Sequence, residues 1–109
     1  MIEIHITEKT KKQDSSAISD AVRAVDHLLI YILFESGVPI NAYDENGETP
    51  LFAATIHGRA DLVHILLKLG ADSNKGTISG TPPMHGANLN QWNKEIKRLL
   101  IESGAKQWP

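Results

Sequence analysis

Residues 44–54 read Asp44-Glu45-Asn46-Gly47-Glu48-Thr49-Pro50-Leu51-Phe52-Ala53-Ala54. After a break at Gly58 the chain continues through Asp61 and Leu62-Val63-His64-Ile65-Leu66-Leu67-Lys68-Leu69-Gly70-Ala71-Asp72. The stretch reads as two short helices entered from a projecting turn. Thr49 is a good N-cap, because its hydroxyl can accept from an unpaired N–H of the first turn. Pro50 falls at the first helical position, where a missing N–H costs nothing. Leu51, Ala53 and Ala54 are apolar and small enough to let neighbouring helices approach closely. Gly58 suits the left-handed position that ends a helix. Asp61 falls in the first turn of the second helix, where negative charge suits the helix dipole. Leu62, Val63, Ile65, Leu66 and Leu67 form a broad apolar face about two turns long.

The pattern repeats along the chain. Gly47-Glu48-Thr49-Pro50-Leu51 matches Gly80-Thr81-Pro82-Pro83-Met84 at an offset of 33, and Leu62 to Leu67 with Gly70-Ala71 matches Ile96 to Ile101 with Gly104-Ala105 at 34. One extra residue has therefore entered the later copy, around Asn90 to Lys94. An earlier copy places Leu29 to Phe34, Gly37 and Asn41 against Leu62 to Leu67, Gly70 and Asn74, again at 33. Periods of this length mark solenoids, in which stacked neighbours bury faces that no unit buries alone.

Residues 44–74 resemble one complete ankyrin repeat, residues 77–106 a divergent second, and residues 15–43 a degenerate first. The resemblance implies an all-α ankyrin-repeat solenoid of about three helix-turn-helix units with β-hairpin fingers. It divides the chain into a tail at 1–14 and a repeat domain at 15–109, made of a capping repeat 15–43, a full repeat 44–76 and a capping repeat 77–106. Departures from the family pattern carry their own expectations. Val25 stands where the middle repeat has Gly58, so helices 16–24 and 26–35 are expected to be poorly separated, with a break near Asp26. Phe52 replaces the histidine usual after Thr-Pro-Leu, which the later copy keeps as His85. Pro82 replaces the capping Thr, and Gly86 and Asn88 replace small apolar residues. The first helix of the third repeat is therefore expected to be loose or shortened, since an interior Gly costs about 1 kcal/mol relative to Ala.

At the N-terminus, Ile2, Ile4 and Ile6 alternate with Glu3, His5 and Thr7, a half-buried strand pattern. Such a strand could pair along a finger, pack on the first helices, extend a partner's sheet, or be only a tail. Residues 8–14 read as a linker. Trp108 is expected to lie back on the last helix.

The bulk numbers agree with a single binding domain. The 109 residues suffice for one domain. A net charge of −2 argues against wholesale nucleic-acid binding. With no cysteine there is no disulfide, thiolate metal site or cysteine nucleophile. The longest apolar run, Leu28 to Phe34, is far short of the roughly 20 residues that span a bilayer. The expectation is a soluble cytoplasmic protein, monomeric alone, bound to neither membrane nor nucleic acid. Charge is uneven: residues 14–48 carry seven acids against Arg23, whereas residues 49–109 carry seven bases against four acids. The acidic front reads either as a steering surface for a basic partner or as a solvated face.

Catalytic signals are missing. Among His5, His27, His57, His64 and His85 no pair has the i, i+4 spacing of a zinc protease motif. No serine sits in a nucleophile elbow, and the glycines follow the repeat rather than a phosphate loop. Asp44, Glu45 and Glu48 have no acid–base counterpart, so they read as recognition. The expectation is no enzyme, no cofactor and no metal.

The resemblance implies that a partner protein meets the finger tips and the inner face of the first helices. The first finger offers Tyr43, Asp44, Glu45, Asn46 and Glu48; the middle inner helix, Ile56 and His57. The second finger offers Ile78, Ser79 and Thr81, followed by Leu89, Asn90 and Trp92. Large aromatics are frequent interface anchors, but Tyr43 could instead pack across the finger stem, Trp92 could cover the C-terminal cap, and Ile56 could be core. The partner is expected to be a protein with a basic surface. An immunity protein that neutralises a basic toxin, an adaptor or effector, and a homo-oligomeric structural protein are narrower alternatives.

Overall fold

A computed structural model describes residues 16–89 and 93–107. The expectations for the Ile2-Ile4-Ile6 strand, Asn90, Trp92 and Trp108 lie outside those residues. Six helices follow one another: α1 Ala17–Arg23, α2 His27–Glu35, α3 Pro50–Ile56, α4 Ala60–Lys68, α5 Pro83–Leu89 and α6 Lys94–Glu102. They pair as α1/α2, α3/α4 and α5/α6, and the inner helices α1, α3 and α5 stack side by side. The assembly is elongated, 43 × 29 × 20 Å. This is an all-α solenoid.

The apolar seam passes through all three pairs. Ile18, Ala54, Leu62, Val63, Leu66, Ala87, Ile96 and Leu100 are fully buried, from the first inner helix to the last outer one. Burying one such leucine or isoleucine contributes about 1.5–3 kcal/mol. Each repeat supplies part of that cover for its neighbour, which is why the seam is continuous. The outer face of α6 carries Arg98 between Glu95 and Glu102, a solvated ion-pair array that closes the stack with polar groups.

The helix ends behave as their residues dictate. The Thr49 hydroxyl accepts from the Phe52 amide at 3.2 Å and donates to the Lys75 carbonyl at 2.8 Å, so one side chain caps α3 and ties in the next finger. Asp26 caps α2 by accepting from Leu29 N. The break near Asp26 is thus present, but α1 and α2 are not poorly separated. Val25 itself adopts φ +55°, beside φ +70° at the matching Gly58. The left-handed turn forms with valine in it.

Two further expectations are corrected. The third inner helix is not shortened: α5 has seven residues, as do α1 and α3. A Cβ at Gly86 would lie 2.4 Å from Thr55 Oγ1 and 3.1 Å from the Ile56 amide nitrogen, so the glycine lets α5 sit close against α3. The fingers project as turns rather than as extended hairpins. Among the described residues the single β-bridge, Glu48 to Thr77, joins one finger to the next. The inserted residue falls in the connection 90–93, one longer than the 57–59 connection before it.

Candidate protein-interaction surface

The two fingers are built alike. In the first, Asp44 Oδ1 accepts from the amides of Asn46 at 2.9 Å and Glu48 at 3.0 Å. In the second, Thr77 stands 33 residues later, and its hydroxyl accepts from the Thr81 amide at 3.0 Å. Short polar side chains at such positions close a turn by mimicking its backbone. Ile78 N donates to Gly47 O at 2.7 Å and Thr49 N to Gly76 O at 2.9 Å, which fixes the spacing of the fingers. Gly47 has φ +73°, and a Cβ there would lie 2.8 Å from Ile78 Cγ2. The second finger's isoleucine thus rests on the first finger's glycine.

The base of the first finger faces α1. Arg23 Nη2 donates to Asp44 Oδ2 at 2.6 Å and lies 3.4 Å from Glu48 Oε1. Asp20 approaches the same guanidinium at 3.8 Å. The Asp44 side chain is only 2% exposed. Burial pushes its carboxyl up, but the Glu48 amide, the Arg23 guanidinium and the Asn46 amide together outweigh burial and hold it below the usual carboxylate range. Asp44 is therefore committed to the finger's own turn and offers no free carboxylate to a partner. The expectation of it as a contact residue is corrected. Glu48 is shared with Arg23, and Glu45 and Asn46 remain exposed.

Tyr43 is half-buried, with Lys75 Nζ 4.6 Å from its ring centroid. A cation over an aromatic face is attractive by about 0.5–1 kcal/mol at an exposed site. Thr81 is half-buried and closes the second finger through its backbone. Ser79 is exposed, and its hydroxyl lies 3.0 Å from that of Thr77. Ile56 and His57 end α3 in exposed positions. Ile78 is 73% exposed and Leu89 65%. Arg23, Ile56 and Leu89 occupy one position in three successive repeats, spaced by 33. Because the inner helices stack side by side and Arg23 meets the first finger, these three positions form a row on the finger side of the stack, and this row with the fingers is the groove.

Asp20 and Arg23 belong to this surface although the sequence motifs do not mark them. A signal was available: Arg23 is the only Lys or Arg within the acidic stretch 14–48, so some of those acids had to find it.

The cleft beside Ser16, Asp20, Arg23, Asp44, Glu45 and Asn46 has about 90 Å³, below the roughly 300–1,000 Å³ of ligand pockets. A shallow cleft of about 400 Å³ lies on the outer side between α4 and α6, lined by His64, Leu67, Lys68, Leu99, Glu102 and Ser103. Among the described residues no group of three His, Asp or Glu could hold a metal ion, and no helix is long and apolar enough to cross a membrane.

Comparison with known proteins places this geometry. A model of ankyrin repeats, in three copies, matches residues 18–108. Over 89 residues the chain is 30% identical to the inactive serine/threonine-protein kinase TEX14 of Bos taurus, covering 80% of this chain and 6% of that protein. Over 78 residues it is 35% identical to the 2-5A-dependent ribonuclease of Mus musculus, covering 71% of this chain and 11% of the ribonuclease. The chain thus spans only a small part of these relatives. The crystal structure of the ankyrin repeat domain of Bcl-3 superposes with a TM-score of 0.75 at 30% identity, over 82% of this chain and 39% of that domain's chain.

Proposed function

The chain belongs to the ankyrin-repeat family, and from that premise we propose that it binds a partner protein through its two fingers and the exposed ends of its inner helices. Ankyrin repeats are protein–protein interaction modules, and their fold is a binding scaffold rather than a typical catalytic one. The observation that carries the finer reading is the exposure of Ile56, Ile78 and Leu89, none of which the seam needs, along the groove between fingers and inner helices. Large aliphatic side chains left open in one row have a use if a partner covers them. Around the base of the first finger Asp20 and Glu48 share the one guanidinium of Arg23 while Glu45 stays exposed, and this excess of acid supports a partner with basic character.

The test is affinity capture with the whole chain, compared across single changes on two faces. Ile78→Asp and Leu89→Asp alter the groove. Leu28→Glu and Ile101→Glu alter exposed outer positions, 68% and 53% accessible. Capture that fails for the groove changes and survives the outer ones, with thermal unfolding unchanged, is the expected result. The opposite pattern would refute the reading.

A further inference from the structure

The groove is not chemically uniform, and its two ends differ in kind. At the first repeat, Asp20, Glu45 and Glu48 surround Arg23, while Asp44 lies beneath. Counting Lys75, whose Nζ lies over the Tyr43 ring, the four carboxylates and two cations carry a net of about −2. The remainder is without formal charge. Residues 76–93 contain no Asp, Glu, Lys or Arg, and neither do residues 49–58. Those two stretches supply the second finger and the inner helices α3 and α5. At the position where the first repeat has Arg23, the second has Ile56 and the third Leu89. At the position of Glu45 the second finger has Ile78.

We propose that the groove binds an unfolded or extended protein segment in one direction, with a Lys or Arg at the first repeat and large apolar side chains at the second and third. This rests on the reading of the groove as the partner surface and adds the order of chemistry along it. Packed helices lie about 8–10 Å apart, so the Arg23 and Leu89 positions are separated by roughly 16–20 Å. An extended segment rises about 3.3 Å per residue, and its basic residue and far apolar residue stand about five or six residues apart. The acidic end steers the segment and fixes its direction, because a basic side chain over Ile56 and Leu89 would lose hydration without gaining a counter-charge. The apolar end contributes most of the area removed from water.

The experiment is selection from a random 12-residue peptide display library on the immobilised full chain. The dominant peptide is synthesised and its affinity measured by calorimetry for the parent chain, Glu45→Lys, Leu89→Asp and the outer-face control Ile101→Glu. The peptide is also made with its basic residue, and separately its apolar residue, changed to Ala. The expected result is a peptide bearing both halves, weakened at least about tenfold by either groove change, as loss of a hot-spot contact would do. Glu45→Lys should couple to the peptide's basic residue alone, and Leu89→Asp to its apolar residue alone. A peptide that both groove changes weaken, but that lacks one half or couples crosswise, overturns the ordered reading and leaves the groove as the binding face. A peptide sensitive only to Ile101→Glu overturns the groove itself. Absence of any enriched peptide also counts against the proposal.

Discussion

Val25 is the residue at which sequence and conformation disagree most. A β-branched side chain at φ +55° is a genuine outlier, because its Cβ crowds the following carbonyl, at a cost of about 1–2 kcal/mol. The turn forms because both of its sides are fixed. Asp26 caps α2, and its amide donates back to Ala21 O at 2.9 Å. Val25 is 41% exposed, so the side chain returns little in packing. Val25→Gly removes the crowding but adds the chain entropy of glycine, about 0.5–1 kcal/mol. Val25→Asn relieves it without that entropy, since Asn tolerates this region. Both variants are expected to raise the urea midpoint, by a stability gain on the order of 0.5–1.5 kcal/mol, with Asn at least equal to Gly. Midpoints lowered for both would mean that Val25 is held by packing rather than strained. The same position shows how much the sequence disclosed. The 33-residue offset identified Val25 as the counterpart of Gly58. It did not disclose that the flanking cap would enforce the turn regardless. Asp44 is the complementary case: a carboxylate on a finger reads as open, and only Arg23, 21 residues earlier, decides that it is covered.

At the scale of elements, helix propensity and close packing make opposite predictions for α5. Propensity alone says that Gly86→Ala should stabilise the helix by about 1 kcal/mol. Packing says otherwise. The added methyl would lie 2.4 Å from Thr55 Oγ1 and 3.1 Å from the backbone nitrogen of Ile56. The Thr55 hydroxyl is fully buried and donates to the Phe52 carbonyl at 2.7 Å, so it cannot swing away freely. Overpacking of this kind costs about 1–3 kcal/mol. Gly86→Ala is therefore expected to lower stability by about 1–2 kcal/mol, and by less in a Thr55→Ala background, with a coupling of at least about 0.5 kcal/mol. Urea unfolding of the four chains measures it, and a stabilised Gly86→Ala would show that α5 stands farther from α3. The helices themselves were legible because caps, glycines and leucines act locally. The reason for Gly86 was not, because it lies 31 residues away in Thr55. The fingers' short ladder was hidden for the same reason: the partner of Glu48 is Thr77.

For the whole molecule, stability follows the order of stacking. The middle repeat is held from both sides, since α3 packs against α1 and α5, and α4 packs against α6. The last repeat is held from one side, with its outer helix closed by the Arg98 ion pairs, which are exposed and contribute little. A stack of this kind behaves as repeats coupled to nearest neighbours. Leu62 in the middle repeat and Leu100 in the last are both 0% exposed, so either change to Ala removes similar apolar area, at about 2–5 kcal/mol. The consequences differ in place. Leu100→Ala is expected to raise amide exchange in α5 and α6 well before α1 to α3, because the end repeat can open while the remaining interface stays intact. Leu62→Ala leaves no such route: losing the middle repeat removes both interfaces, and exchange should rise in all six helices together. Hydrogen exchange followed peptide by peptide distinguishes the two outcomes. Equal acceleration everywhere in both variants would mean that the three repeats open only as one unit, and that the seam through Ile18, Leu66 and Ile96 couples them more strongly than their one-sided stacking implies.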